Sequence, residues 1–101
     1  MAKSKKGKEI LIMEDDLSLS SMYKTKLELA GYVIHIANNG IDGLKMAEEN
    51  KVDLILLDVI MPQLDGFSVL EELKRDDKTK NIPVIMLTNL STEEDKEKGK
   101  K

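Results

Sequence analysis

Short aliphatic runs alternate along this chain with longer stretches in which apolar residues recur at helical spacing. Because buried strands are short and continuously apolar, the runs predict four β-strands, at Glu9–Met13, Tyr32–Ala37, Val52–Leu57 and Pro83–Leu87. The stretches after each run predict four helices: from Asp16 or Leu17 to Ala30, from about Ile41 to near Asn50, from Asp65-Gly66 through Leu73, and from Ser91 or Thr92 onward.

Each of the first three helices is expected to bury one apolar face. The residues at helical spacing are Leu19, Met22, Tyr23, Leu27 and Ala30 in the first, Ile41, Leu44 and Ala47 in the second, and Phe67, Leu70 and Leu73 in the third. Gly31 stops the first helix, and Asn39-Gly40 is a turn before the second.

The resulting order, βαβαβαβα, predicts an α/β fold with a parallel sheet covered by helices on both faces. The third strand lacks alternation over Leu54–Leu57, which is typical of a central strand buried on both sides. In such sheets ligands bind beyond the carboxyl ends of the strands. The residues at those ends are therefore the first candidates for chemistry.

Acidic side chains follow two of these strand ends. Glu14, Asp15 and Asp16 come after the first strand, and Asp58 closes the third. Adjacent parallel strands bring their ends together, and clustered carboxylates need neutralisation, which a hard cation such as Mg²⁺ provides. The alternative is that each acid only caps the following helix, and for Asp16, directly before Leu17, we favour that alternative.

Asp58 differs from the other acids because it ends a buried aliphatic strand. A carboxylate can attack phosphorus and form an aspartyl phosphate. Thr88, after the fourth strand, offers a hydroxyl for a phosphoryl oxygen, although finishing a strand is an equally good explanation of a threonine. An aspartate-nucleophile phosphatase is a weaker hypothesis, because its second aspartate belongs at position 60, which is Ile60.

Composition narrows the class of protein. The 101 residues are 41% hydrophobic and 35% charged, without cysteine, which suits one domain and excludes disulfides and thiolate sites. The pattern predicts a flexible lysine-rich tail at residues 1–8 and a single domain at 9–101. Residues 9–90 carry fifteen acidic and eight basic groups, so we expect no nucleic-acid partner. Without a long apolar run or a signal peptide, we expect no membrane association and a cytoplasmic location.

The segment Asp58–Gly66 reads D-x-x-M-P-x-x-D-G, with ILIMEDD upstream and PVIMLTNLS downstream. In these motifs the chain resembles the receiver domain of bacterial two-component response regulators, over about Lys8 to Gly99. The resemblance implies a flavodoxin-like, doubly wound sheet of order 2-1-3-4-5.

The resemblance also implies a role for individual residues. Asp58 matches the phosphoacceptor and Thr88 the switch hydroxyl. Mg²⁺ would be held by Asp15, Asp58 and the backbone carbonyl of Ile60, with Glu14 acting through water. The implied donor is a sensor histidine kinase. The implied activity is a population shift rather than metabolite turnover, so the chain is not expected to be an enzyme beyond self-phosphorylation and slow autodephosphorylation.

The sequence departs from the family after the fourth helix, because a fifth strand, the lysine that follows it and a fifth helix have no counterpart before Lys101. Asn89 also stands where the family usually has a small residue. We therefore expect a sheet of order 2-1-3-4, impaired phosphorylation, and a homodimer or an exchange of elements through the exposed edge of the fourth strand. An engineered or fragment receiver, whose property is self-association rather than phosphorylation, is the alternative.

Overall fold

The computed structural model describes residues 7–61 and 64–87. The elements are β1 (Glu9–Met13), α1 (Leu17–Leu29), β2 (Val33–Ala37), α2 (Gly40–Glu49), β3 (Leu54–Asp58), α3 (Gly66–Arg75) and β4 (Val84–Leu87). The types and order predicted for these seven elements are confirmed. The predicted fourth helix, the tail over residues 1–6 and Thr88 lie outside the described residues.

The four described strands form one parallel sheet of order β2-β1-β3-β4, which confirms the predicted flavodoxin-like arrangement. β1 and β3 lie in the centre, with Met13 opposite Leu57 at their carboxyl ends. The third strand begins at Leu54 rather than at the predicted Val52. The residue before it, Asp53, uses its carboxylate to accept the Glu9 N–H at 2.8 Å, a side-chain contact to the start of β1.

Each described helix begins at a side-chain cap. The carboxylate of Asp16, the amide oxygen of Asn39 and the carboxylate of Asp65 each accept a backbone N–H three residues later. These bonds satisfy donors that the first helical turn leaves without a partner. At the other end of α1, Gly31 takes φ = 103°, a backbone angle that favours glycine, and turns the chain into β2.

The two faces of the sheet are covered unequally. Beneath α2 and α3 lies the larger core, which includes the fully buried Leu11, Ile55, Leu57, Val69 and Leu73. The opposite face has a smaller buried group of three isoleucines on β1 and β2, against which α1 packs Tyr23 and Leu27: Ile10, Ile12 and Ile34. In the described part of the chain, α1 is the only helix on this second face.

Four residues predicted to belong to buried helix faces are exposed instead. Ile41 (57% exposed) and Phe67 (63%) lie in the first turns of α2 and α3, close to the carboxyl edge of the sheet, where no described element covers them. Met22 (43%) faces away from the sheet, and Ala30 is the exposed C-cap of α1. Helical spacing placed Ile41 and Phe67 on faces that the sheet does not reach, and it assigned Met22 to the wrong side of α1.

No helix among the described residues has the length and apolarity needed to cross a membrane.

Candidate functional site

Three carboxyl groups meet at the carboxyl ends of β1 and β3. Glu14 and Asp15 follow Met13 in β1, and Asp58 follows Leu57 in β3. Met13 and Leu57 are paired between the two strands. One carboxylate oxygen from each acid lies within 4.8 Å of the oxygens of the other two. The predicted convergence of acids remote in sequence is therefore confirmed.

Backbone hydrogen bonds continue the sheet into this cluster. The Glu14 N–H donates to the Ala37 carbonyl, and the Val59 N–H donates to the Leu87 carbonyl, both at 3.0 Å. Both flanking strands thus hold the chain immediately around the acids. The carboxyl groups are consequently positioned by the central sheet rather than by a free loop.

The three acids differ in exposure. Glu14 and Asp58 are each only 2% exposed, whereas Asp15 is open to solvent. Two carboxyl groups are therefore desolvated at the base of the site, and a third stands at its mouth. A ligand from solution would meet Asp15 first.

Neutral donors, not cations, contact the two buried carboxyl groups. The Asp16 N–H donates to Glu14 Oε2 at 3.0 Å, and the Ile60 N–H donates to Asp58 Oδ1 at 3.4 Å. Over residues 7–61 and 64–87, none of the ion pairs involves Glu14, Asp15 or Asp58. No described side chain therefore balances the negative charge of the three carboxyl groups.

Burial therefore dominates the protonation of the site. Desolvation raises the pKa of Glu14 to about 7, opposed by the Asp16 N–H and reinforced by the charges of Asp58 and Asp15. Burial also raises the pKa of Asp58, against the hydrogen bond from Ile60. The contact between the two side chains raises the pKa of Glu14 and lowers that of Asp58, so Glu14 is the partner that holds a proton when no cation is bound.

Asp16 does not join the cluster. Its carboxylate caps α1 by accepting the Leu19 N–H at 3.1 Å, as the sequence favoured. The Ile60 side chain is 52% exposed beside the site, while Met61 is buried. Thr88 and Asn89 lie outside the described residues.

Two contacts to the site were not predicted. Asn38, at the end of β2, donates its side-chain N–H to the Glu14 carbonyl at 3.4 Å. Gly66, at the start of α3, has its α-carbon against the Asp58 carbonyl group. The Asp65-Gly66 pair was visible in the sequence as the start of a helix, but its distance from Asp58 depends on how the intervening loop folds back.

The donor set fits Mg²⁺. All three side chains offer carboxylate oxygens, which this ion prefers, and few protein ligands suffice because it keeps several waters. A divalent cation would also supply the balancing charge that no described side chain provides.

Comparison with known proteins agrees with this geometry. The model of the response regulator receiver domain family matches residues 10–101. The chain belongs to the response regulator receiver domains.

One curated relative is a longer transcriptional regulator. It is 44% identical over 90 residues to the DNA-binding dual master transcriptional regulator RpaA of Synechocystis, covering 89% of this chain and 37% of RpaA. The chain thus spans little more than a third of that relative, whose DNA binding belongs to a much longer protein.

Two similar solved structures contain Mg²⁺. The receiver domain of sensor histidine kinase PA1611 from Pseudomonas aeruginosa, with a magnesium ion coordinated in its active site cleft, matches at 32% identity and a TM-score of 0.80, over 90% of this chain and 75% of that one. The response regulator TrrA from Thermotoga maritima, in complex with Mg²⁺-BeF, matches at 34% identity and 0.75, over 80% and 69%.

Proposed function

We propose that this receiver domain accepts a phosphoryl group on Asp58, with Mg²⁺, from the phosphohistidine of a sensor histidine kinase. The observation that supports the proposal is the meeting of three carboxylate oxygens at the ends of two central strands, two of them on buried side chains. Receiver domains are signalling modules rather than metabolic enzymes, so we expect a change of state and not turnover. Phosphotransfer from a kinase that uses cellular ATP would place the chain in the cytoplasm.

The residues would divide the work as follows. Asp15, Asp58 and the Ile60 carbonyl would hold Mg²⁺ directly, and Glu14 would hold one of its waters. When bound, the ion supplies charge that balances the phosphoryl oxygens. The Ile60 N–H keeps one carboxylate oxygen of Asp58 occupied, which leaves the other free as the nucleophile.

The transfer balances without a further reactant. A carboxylate oxygen of Asp58 forms a bond to phosphorus while the bond from phosphorus to the donor's imidazole nitrogen breaks. The electron pair of that bond stays on the imidazole. Asp58 must be ionised to attack, and its contact with Glu14, which lowers the pKa of Asp58 and raises that of Glu14, leaves the shared proton on Glu14.

Thr88 is part of the same proposal. In the sequence it directly follows Leu87, and Leu87 is the residue that pairs with Asp58 between β3 and β4. We propose that its hydroxyl donates to a phosphoryl oxygen and that this contact shifts the population of conformations.

The test is incubation with Mg²⁺ and acetyl phosphate, followed by intact-mass measurement. We expect the wild-type chain to gain one phosphoryl group and Asp58→Asn to gain none. Asp65→Asn, which keeps a capping side chain three residues before Ser68, is the control and should be modified like the wild type. An adduct that persists in Asp58→Asn would contradict the proposal.

A second property, self-association, is favoured by the face of the sheet on which α1 is the only described helix. Among the described strands β4 has β3 as its single neighbour, and Ile85 is 50% exposed on the face where α1 lies. An edge strand with an exposed apolar side chain is a template for pairing with another chain. We propose that two copies associate, or exchange elements, through β4.

A further inference from the structure

Gly66 stands closer to the phosphoacceptor than any side chain would allow. It is the buried first residue of α3, and its N–H donates to the Val59 carbonyl at 2.9 Å. A Cβ at this position would meet the Asp58 carbonyl oxygen and lie 2.7 Å from the Val59 Cα and 3.1 Å from the Asp58 carbonyl carbon. All three are backbone atoms, so no side-chain rotation can make room.

The requirement for glycine here concerns space and not backbone conformation. Over the described ranges, the only glycine with a positive φ is Gly31. Alanine is therefore compatible with the backbone angles of Gly66 and with the start of a helix. What it would change is the distance between α3 and the peptide bond after Asp58.

That peptide bond joins two elements of the proposed ion site. On one side is the Asp58 carboxyl group, and on the other is the chain to Ile60, whose N–H donates to Asp58 Oδ1. The hydrogen bond from Gly66 to Val59 ties the first residue of α3 to the residue directly after Asp58. If α3 pushed this segment away, Asp58 and Ile60 would both move.

The other half of the site would not follow this movement. Glu14 and Asp15 continue β1, where the Glu14 N–H is held by β2 through the Ala37 carbonyl. A displacement of the 58–60 segment therefore changes the separation between the two sets of oxygen ligands. Small errors of this kind are costly, because Mg²⁺ demands near-ideal octahedral geometry.

We infer that Gly66 is a positioning residue of the phosphoacceptor site: its missing Cβ lets α3 rest against the Asp58–Val59 backbone and so fixes the carboxylate and the Ile60 carbonyl relative to Asp15. This inference rests on the proposed function, since it assumes that these oxygens bind Mg²⁺. It adds a determinant of affinity that touches neither the ion nor the phosphoryl group.

Gly40 provides a matched control. It is also a buried first residue of a helix behind a capping side chain, and a Cβ there would also be crowded, though less than at Gly66. Its nearest neighbour, however, is the Val69 Cγ2 at 2.6 Å, a side-chain atom that can rotate, with the Leu64 carbonyl oxygen next at 3.1 Å. Gly40→Ala therefore also crowds the start of a helix, but its nearest contacts are with Val69 and Leu64 and not with Asp58 or Val59.

The experiment is a calorimetric Mg²⁺ titration of the wild type, Gly66→Ala and Gly40→Ala, with thermal melts of each. We expect Gly66→Ala to lose roughly ten- to a hundred-fold in affinity, as for other residues that position metal ligands, and Gly40→Ala to change by less than about two-fold. Without the ion, amide NMR shifts of residues 58–61 should move in Gly66→Ala, while those of residues 14 and 15 stay.

Each outcome decides between the proposals. If Gly66→Ala binds Mg²⁺ like the wild type, or Gly40→Ala loses equal affinity, the inference is wrong and the proposed function stands. If the wild type itself does not bind Mg²⁺, the proposed function falls and the inference with it. Trimethylamine N-oxide, which favours the compact state, counters any loss of stability during the titration. A Gly66→Ala chain that stays unfolded even then would overturn the positioning role, because Gly66 would be needed for the whole fold.

Discussion

Glu14 lies in an environment that disfavours its charged form. A carboxyl group with 2% exposure, beside Asp58, is uncharged for much of its time near neutral pH. Its desolvation is compatible with a site that works only when a cation is present. The burial of Glu14 thus links cation binding to protonation and to stability.

The stability of the cation-free chain should fall as the pH rises from about 5 to 8. Because the pKa of Glu14 is about 7 in the folded chain and 4.5 for a solvent-exposed glutamate, the folded state binds more protons in this range and loses stability as they leave. The loss from this group is on the order of 3 kcal/mol. Urea denaturation at several pH values measures it.

Glu14→Gln is the control for this pH dependence. The amide cannot titrate, yet it still offers an oxygen to the Asp16 N–H. We expect its stability to vary much less over the same pH range, and saturating Mg²⁺ to restore the wild type at pH 8. A wild-type chain that is as stable at pH 8 as at pH 5 without Mg²⁺ would contradict the raised pKa of Glu14 in the folded state.

The adjacent residues Asp15 and Asp16 should separate binding from stability. Asp15 belongs to the acidic cluster, whereas Asp16 caps α1. We expect Asp15→Ala to weaken Mg²⁺ binding without loss of stability, and Asp16→Ala to lower the free energy of unfolding by about 1 kcal/mol with binding retained. Calorimetric titration and thermal melts measure both effects. The reverse pattern would contradict our assignment.

At this scale the sequence predicted which residues meet but not how they are held. Asp15 and Asp58 were found because they follow apolar strands, and Asp16 because it precedes a helix. The burial of Glu14 next to the exposed Asp15 depends on the neighbouring strand and on Asp16, which local sequence does not describe. The approach of Gly66 to Asp58 depends on the course of a whole loop.

At the scale of elements, the helices contribute unequally to the fold. α3 buries Val69 and Leu73 completely in the larger core, whereas α1 leaves Leu17 and Leu29 mostly exposed and buries only Ser20 fully. α1 therefore depends more on its cap and on the partial burial of Tyr23 and Leu27. We expect the two helices to differ in their sensitivity to substitution.

Leucine-to-alanine substitutions measure this difference. Leu73→Ala should lower the free energy of unfolding by about 2–5 kcal/mol, because it removes a fully buried side chain and leaves a cavity. Leu29→Ala, at 84% exposure, should change it by no more than about 0.5 kcal/mol. Urea denaturation measures both. A cost at Leu29 comparable to that at Leu73 would mean that the α1 face is covered by something else in solution.

The strands were easier to predict than the extent of helix burial. An aliphatic run is sufficient to identify a buried strand, and β1 has the predicted bounds, Glu9–Met13. Helical spacing assigned Ile41 and Phe67 to buried faces because it carries no information on where the sheet ends. The strand order came from the resemblance to receiver domains and not from periodicity.

At the scale of the whole molecule, the two faces of the sheet have different cover. The α2–α3 face contains the continuous core, while the α1 face shows half-buried Leu54 and Leu56 and the exposed Ile85. Exposed apolar side chains on this face favour contact with another protein surface. This asymmetry supports the proposal that copies of the chain associate.

Size-exclusion chromatography with light scattering tests that proposal. We expect a concentration-dependent dimer for the wild type, and a shift toward monomer for Ile85→Lys, because a charge on an exposed edge strand opposes pairing. Ile41→Lys, at a residue that is 57% exposed but lies on α2, is the control and should leave the dimer unchanged. A well-folded monomer at every concentration would be the contrary result.

The most direct test of the central claim is a crystal structure of the wild-type chain grown with Mg²⁺. We predict an ion coordinated by carboxylate oxygens of Asp15 and Asp58 and by the Ile60 carbonyl, with Glu14 reaching it through water. A structure in which the ion is absent from this position at saturating Mg²⁺, or in which Asp15 and Asp58 lie too far apart to share it, would contradict the account.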